Sequence, residues 1–254
     1  MTPLRASRRA VLQALVGCSL AAALPPGVAV QGAGATAPGR PRALMPDAHS
    51  ALLIIDVQNC FVSGGSLAVP HGDEVVPVIN RLTGYFTTVV ATQDWHTPHH
   101  ISFASSHTGK TPYETVELAY GRQVLWPDHC VMGTEDANLV HGLDSHRAQL
   151  ILRKGFHQDL DSYSAFLEAD HRTPTGLAGY LNERQVRQVF ICGLATDFCV
   201  AWTAVDARGA GFDAAVIEDA CRGIDLHGSL AAAWQSMTAA GVHRIRSTDL
   251  GVFS

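Results

Sequence analysis

From residue 51 onward, short unbroken apolar runs alternate with stretches in which apolar residues recur every three or four positions. Ala51-Leu-Leu-Ile-Ile-Asp-Val57 is a continuous run of the kind found in a strand buried on both faces, which favours a parallel sheet covered by helices. Further strands are predicted at 87–92, 149–154, 188–192, 213–218 and 242–247, and helices at 74–86, 175–187, 198–210 and 226–240. Pro77 is tolerable only in the first turn of its helix. The alternation predicts a three-layer, doubly wound α/β fold with a mainly parallel sheet of about six strands. Between the second and third strands lies a long loop rich in His, Ser, Thr, Pro and Gly, running from Gln93-Asp-Trp-His96 to Trp126-Pro-Asp-His-Cys130. A loop of that length in a compact domain normally serves function.

Residues 1–39 depart from this pattern. Ser7-Arg8-Arg9 precede an alanine-rich apolar run from Ala10 to Leu24, then Pro25-Pro26-Gly27 and small residues to Gly39. This reads as a twin-arginine export signal and linker with a periplasmic address, and Ala33-Gly34-Ala35 offers a cleavage site. The run is too short for a stable membrane span, while Cys18 in Leu15-Val-Gly-Cys18 offers lipid anchoring as the alternative. The remaining chain, 48–254, reads as one domain. The formal net charge of -5 for the whole 254-residue chain, without a stripe of lysines or arginines, argues against a nucleic-acid partner and for a small-molecule ligand, with self-assembly into a homo-oligomer left open. Cysteines 18, 60, 130, 192, 199 and 221 lack the dense spacing of a disulfide scaffold, so reactive or buried thiols are expected, in some tension with an oxidising compartment.

Three reactive side chains fall at or just past the carboxyl ends of different predicted strands: Asp56, Lys154 and Cys199. Ligands of open α/β sheets bind at that edge. Singly, each has a plain alternative: a turn-capping carboxylate, a solvated ammonium, a core thiol. Together they form a coupled set, because a thiol needs a base to take its proton and an ammonium stabilises both anions. Cys199 opens a helical run after Gly193-Leu-Ala-Thr-Asp-Phe, where unpaired N–H groups and the helix dipole favour thiolate. Thr196 and Asp197 are expected to shape and cap that helix. Asp94 and His96, at i and i+2, can point the same way from an extended segment, and His129 could close a metal site from the far end of the loop. One carboxylate and two histidines with open positions suit Zn²⁺ or Fe²⁺ in a catalytic role, although His99, His100 and His107 offer other combinations.

These segments carry a resemblance. Asp56-Val-Gln-Asn59 with Phe61, Gln93-Asp-Trp-His96 followed by His100-Ile-Ser-Phe103, Trp126-Pro-Asp-His-Cys130, Lys154-Gly155, Asp161-Ser-Tyr-Ser-Ala-Phe166 and Gly193-Leu-Ala-Thr-Asp-Phe-Cys199 are similar to motifs of the isochorismatase-like hydrolases. The likeness is to metal-dependent bacterial members that act on nicotinamide, and it spans essentially residues 50–250. It implies that Cys199 attacks a carboxamide carbon to form a thioester, Asp56 accepts the thiol proton and later activates water, and Lys154 holds the pair. It also implies oxyanion stabilisation by the backbone N–H groups of Ala195 and Cys199, with a cis peptide before Ala195. Phe61 and Trp126 would sandwich the substrate ring. Asp94, His96 and His129 would bind one divalent metal, Zn²⁺ first with Fe²⁺ or Mn²⁺ as alternatives, which takes the pyridine nitrogen. The family's usual acidic residue before the phenylalanine is Cys60 here, which raises the prospect of a Cys60–Cys199 disulfide. The expected activity is hydrolysis of nicotinamide to nicotinate and ammonia. The alternatives are a related cysteine amidohydrolase acting on another small amide, or an exported metal- or nicotinamide-binding protein without turnover.

Overall fold

A computed structural model of the protein describes residues 45–250; the segment expected to be an export signal and linker, with Cys18, lies outside the described residues. The strands are β1 (Ser50–Ile55), β2 (Thr88–Asp94), β3 (Thr115–Leu118), β4 (Gly121–Val124), β5 (Leu150–Lys154), β6 (Gln188–Leu194), β7 (Asp213–Arg222) and β8 (His243–Ile245). The helices are α1 (Val75–Thr83), α2 (Leu177–Glu183), α3 (Ala201–Gly209) and α4 (Ser229–Ala239). Six strands form one sheet in the order β5-β2-β1-β6-β7-β8, parallel throughout, and β3 and β4 pair apart from it as an antiparallel hairpin. The six-stranded doubly wound reading holds. The hairpin, inside the segment read as loop, was not foreseen.

Every residue of β1 is fully buried, as its unbroken apolar run requires. Burying each of its Leu and Ile side chains contributes about 1.5–3 kcal/mol, so this strand anchors the core. Helix α1 packs on β7, β1 and β6, while α3 and α4 pack against one another, α3 also on β7 and α4 also on β8. The chain winds outward from β1 through β2 to β5, then returns to place β6 on the other side of β1. That reversal is a topological switch point, where the loops leaving adjacent strands diverge and open a crevice at the carboxyl edge.

Near its carboxyl end β6 carries Gly193, still paired with Ile55 and Cys221, whose φ is +113°. A Cβ at Gly193 would lie 2.1 Å from the Ile55 carbonyl oxygen, so only glycine lets β6 turn this close to β1. The next peptide, Leu194–Ala195, is cis. The chain then makes one wide π-type turn, Thr196–Val200, in which the Val200 N–H bonds to the Ala195 carbonyl at 3.1 Å, before α3 begins at Ala201. The helix expected from Phe198 therefore starts later, and Cys199 sits in the wide turn.

Candidate active site

Four strand ends converge at the switch point. Asp56 follows β1, Asp94 ends β2, Lys154 ends β5 and Cys199 follows β6. Register fixes part of this, since Asp94 pairs with Lys154 and Ile55 with Gly193. Lys154 is the hub. Its ammonium is buried and donates to the Asp94 carboxylate, to the Ser162 carbonyl at 2.9 Å and to Cys199 Sγ at 3.5 Å. Those three bonds use all three of its hydrogens. Asp56 Oδ2 is buried and lies 2.9 Å from the same nitrogen yet has no aligned hydrogen bond, and so keeps a lone pair open toward the site. Its other oxygen accepts from the Thr92 hydroxyl at 2.5 Å.

Burial, reinforced by the Asp94 charge and opposed by Lys154 and Thr92, raises the Asp56 carboxyl to about 6. Burial would also raise Asp94, but Lys154 and the two histidines outweigh it and keep Asp94 ionised far below the usual carboxylate range. Burial alone would lower Lys154; Asp56 and Asp94 reverse that and hold it well above the usual lysine range. Cys199 departs from expectation. Burial pushes its thiol well above the usual cysteine range, and Lys154 offsets this only in part. The resting nucleophile is therefore a thiol rather than the thiolate expected at a helix start, because desolvation outweighs the field of one short turn.

Asp94 joins this set to a second cluster. Its Oδ2 lies 3.7 Å from His96 Nε2 and 3.9 Å from His129 Nε2, separations that one ion at about 2.0–2.2 Å from each donor would span. Both imidazoles are aimed by their other nitrogen: His96 Nδ1 is 2.8 Å from the Gly155 carbonyl oxygen and His129 Nδ1 2.8 Å from that of Pro127. Donation from Nδ1 leaves the Nε2 lone pairs facing Asp94, the tautomer a metal ligand needs. Burial takes His129 down to about 4, so it stands neutral and able to ligate. The three residues thus fit a divalent metal. His100 instead places Nδ1 2.7 Å from the Ser102 hydroxyl and Nε2 3.0 Å from the His157 carbonyl oxygen. Gly155 makes room for His96, since a Cβ there would lie 2.6 Å from His96 Cε1. Gly155→Ala is expected to displace the ring and weaken metal binding about 10–100-fold, read by competition with a chromogenic chelator.

Phe61, Trp126, Asp94, His129, Ala195 and Cys199 line one small, largely closed cavity together with Leu67, Tyr163, Phe198 and Ile224. Its walls combine aromatic and aliphatic side chains with the Asp94 carboxylate, the His129 imidazole and the Cys199 thiol, the pattern of a small-molecule site. Trp126 is held by its indole N–H, which donates to the Tyr163 hydroxyl at 3.0 Å. Four contributors escaped the sequence reading: Thr92 on Asp56, Gln58, Tyr163 and Phe198. Gln58 clamps the backbone of Asp94, accepting from its N–H at 2.8 Å and donating to its carbonyl at 2.8 Å. Gln58 belongs to the Asp56-Val-Gln-Asn59 segment, so its place in that motif was the available signal.

Two expectations are corrected. Asp197 does not cap its own helix; it accepts from the N–H groups of Ile224 and Asp225 and from the Ser229 hydroxyl, fastening the loop between β7 and α4. Cys60 is bonded to Cys130, not Cys199, and Cys192, Cys199 and Cys221 are free. Cys60 stands one residue from Phe61 and Cys130 one from His129, so the chain's path brings those two thiols together.

The sequence profile of the isochorismatase domain matches residues 50–249. The chain is 60% identical over 202 residues to the nicotinamidase of Acinetobacter baylyi, covering 80% of this chain and 94% of that protein. A solved Acinetobacter baumanii nicotinamidase/pyrazinamidase superposes with a TM-score of 0.80 at 60% identity, over 80% of this chain and 99% of the other. The pyrazinamidase of Pyrococcus horikoshii, solved in complex with zinc, superposes with a TM-score of 0.62 at 32% identity, over 78% and 99% of the two chains.

Proposed function

The chain belongs to the isochorismatase-domain family, and from that premise we propose that it is a nicotinamidase, hydrolysing nicotinamide to nicotinate and ammonia through a thioester on Cys199. The observation that carries this reading is Asp56 Oδ2, a buried carboxylate oxygen without an aligned donor, set against the one ammonium that also touches Cys199 Sγ. As Cys199 attacks the carboxamide carbon, Asp56 takes the thiol proton, and Lys154 neutralises charge that would otherwise build up among buried groups. The oxygen of the tetrahedral intermediate would face the backbone N–H groups of Ala195 and Cys199 in the turn after β6. Asp56 then returns its proton to the departing amine, releasing ammonia, and deprotonates the water that cleaves the thioester. The ring would rest between Phe61 and Trp126.

Asp94, His96 and His129 would hold one divalent metal, Zn²⁺ on the strength of this donor set and of the zinc complex of the Pyrococcus pyrazinamidase. When bound, such an ion supplies a Lewis acid and a fixed partner for the ring nitrogen. Chelation is expected to abolish nicotinamide turnover and added Zn²⁺ to restore it.

The direct test is ammonia and nicotinate release from nicotinamide by the metal-loaded protein. Absence of both products would overturn the assignment. Because Asp56 must be ionised and its carboxyl sits at about 6, kcat/KM is expected to rise with pH through that value as one proton leaves, and to fall tenfold per unit below it. A flat profile down to pH ~5 would exclude Asp56 as the base.

The same reading places the enzyme outside the cytoplasm, scavenging nicotinamide or a related amide. Arg8-Arg9 and the apolar run to Leu24 support export, and the Cys60–Cys130 disulfide suits an oxidising compartment. Mass spectrometry of the N-terminus from the native host is expected to show Met1 removed with the leader; an intact Met1 on the active enzyme would contradict it.

A further inference from the structure

Two chain segments that meet at the active site are joined by a covalent bond that the chemistry does not use. Cys60 closes onto Cys130 with a Cα–Cα distance of 5.6 Å, an ordinary disulfide span. Their neighbours form a second rung of the same ladder: the rings of Phe61 and His129 lie 5.6 Å apart, tilted by 60°. All four residues are buried. One rung is therefore covalent and the other places a cavity wall against a metal-facing imidazole.

The turn that aims His129 is unusual. Cys130 has a φ of +47°, a left-handed conformation that a residue with a Cβ adopts only at a cost, so it must be held there. Three attachments hold it: its N–H donates to Asp136 Oδ2 at 3.0 Å, its carbonyl accepts from the His96 N–H at 3.1 Å, and its sulfur is bonded to Cys60. Asp136 also accepts from the Cys60 N–H through its carbonyl at 2.8 Å. The segments are further tied by Asn59, whose N–H donates to the Asn138 carbonyl and whose side-chain amide donates to the Glu135 carbonyl. The fold of this corner consequently does not depend on the disulfide alone; beyond Cys130 the Met132 N–H also donates to the His96 carbonyl at 2.8 Å, and the disulfide is the one covalent restraint on the turn carrying His129.

We propose that Cys60 and Cys130 are positioning residues, and that their disulfide holds His129 and Phe61 in register so that the oxidised enzyme binds its metal and its substrate more tightly than the reduced one. The inference rests on the metal and ring sites proposed above. Forming the bond removes one proton and one electron from each thiol. A disulfide oxidant such as glutathione disulfide accepts them and leaves as two glutathione thiols. Cys199 takes no part and stays a free thiol in both forms.

The competing account is that the bond merely constrains the unfolded chain. Its ends are 70 residues apart, and closing a loop of that length would raise the melting temperature without altering metal affinity in the folded protein. Metal affinity separates the two. Zn²⁺ binding would be measured by chelator competition on wild-type oxidised protein, on Cys60→Ala/Cys130→Ala, and on wild-type protein made and kept reduced with a phosphine. The last sample has an unchanged sequence and serves if the variant does not fold. We expect both bond-free forms to lose about tenfold or more in Zn²⁺ affinity. KM for nicotinamide should rise severalfold, with kcat at saturating metal and substrate within about threefold of wild type. Wild-type Zn²⁺ affinity and KM in the folded bond-free forms, with only the melting temperature lowered, would overturn the proposal. Should oxidised wild type bind Zn²⁺ but release no ammonia, the function assigned above fails, and the affinity comparison still decides the role of the bond.

Discussion

Cys199→Ala is expected to lower nicotinamide turnover by at least about 10⁴-fold while leaving the fold and Zn²⁺ binding intact, because removing an activated nucleophile costs nearly the whole chemical acceleration. The residue lies in the wide turn Thr196–Val200, is buried, and touches the site through the Lys154 ammonium. Cys192 and Cys221, the other free cysteines among the described residues, do not line the cavity. Loss of the thiol therefore cannot be made good by a neighbour. The loss should appear in kcat more than in KM, since Phe61, Trp126 and the metal ligands remain. Cys199→Ser should be almost as poor, because a hydroxyl gives up its proton to a base near 6 far less readily than a thiol does. Ammonia release and nicotinamide binding by calorimetry, measured on the same samples, check both halves. Near-normal turnover in the alanine variant would end the thioester mechanism.

Lys154→Met is expected to damage both stability and chemistry. The side chain is buried between Asp56 and Asp94, and its ammonium is the only cation in contact with both among the described residues. Removing it leaves the buried Asp56 carboxylate facing Asp94 with no cation of its own, while His96 and His129 still face Asp94, and stripping a buried charge of its partner typically costs about 3–5 kcal/mol. Part of that cost is relieved if Asp56 takes a proton, which moves its carboxyl upward from about 6 and removes the base at neutral pH. Activity at pH 7 should fall about 10²–10⁴-fold, the usual contribution of a positioned base, and recover partly as pH is raised. Thermal unfolding and a pH–rate profile check the two effects. An unchanged profile with only a lower melting temperature would make Lys154 a structural residue.

What the sequence reveals of this site, and what it hides, has a physical pattern. Asp56, Lys154 and Cys199 could be read because each lies at or just past the end of a recognisable apolar run, and strand ends mark the ligand edge of an α/β sheet. Their adjacency could not be read from those runs: it follows from the strand order, which places β6 against β1 and β5 against β2. Thr92 passed for an ordinary β-branched strand residue, although its hydroxyl holds Asp56. The hairpin β3–β4 was hidden because its two strands are only four residues each, carry no apolar run and are mostly exposed or half-buried. The protonation of Cys199 was misjudged for a related reason. A helix start can be inferred from local sequence, but the desolvation that dominates there comes from distant segments packed around it. Cys60 and Cys130, 70 residues apart, have no spacing that announces their pairing.

The central claim is a covalent one: nicotinamide becomes attached to Cys199 as a nicotinoyl thioester before water releases nicotinate. Acid quenching of metal-loaded enzyme during turnover, followed by peptide mass spectrometry, tests it directly. The account predicts a peptide containing Cys199 heavier by one nicotinoyl group and cleared by hydroxylamine, with no such mass in Cys199→Ala. An enzyme that turns over nicotinamide with that peptide unmodified at every quench time, or with the group on another residue, would contradict it.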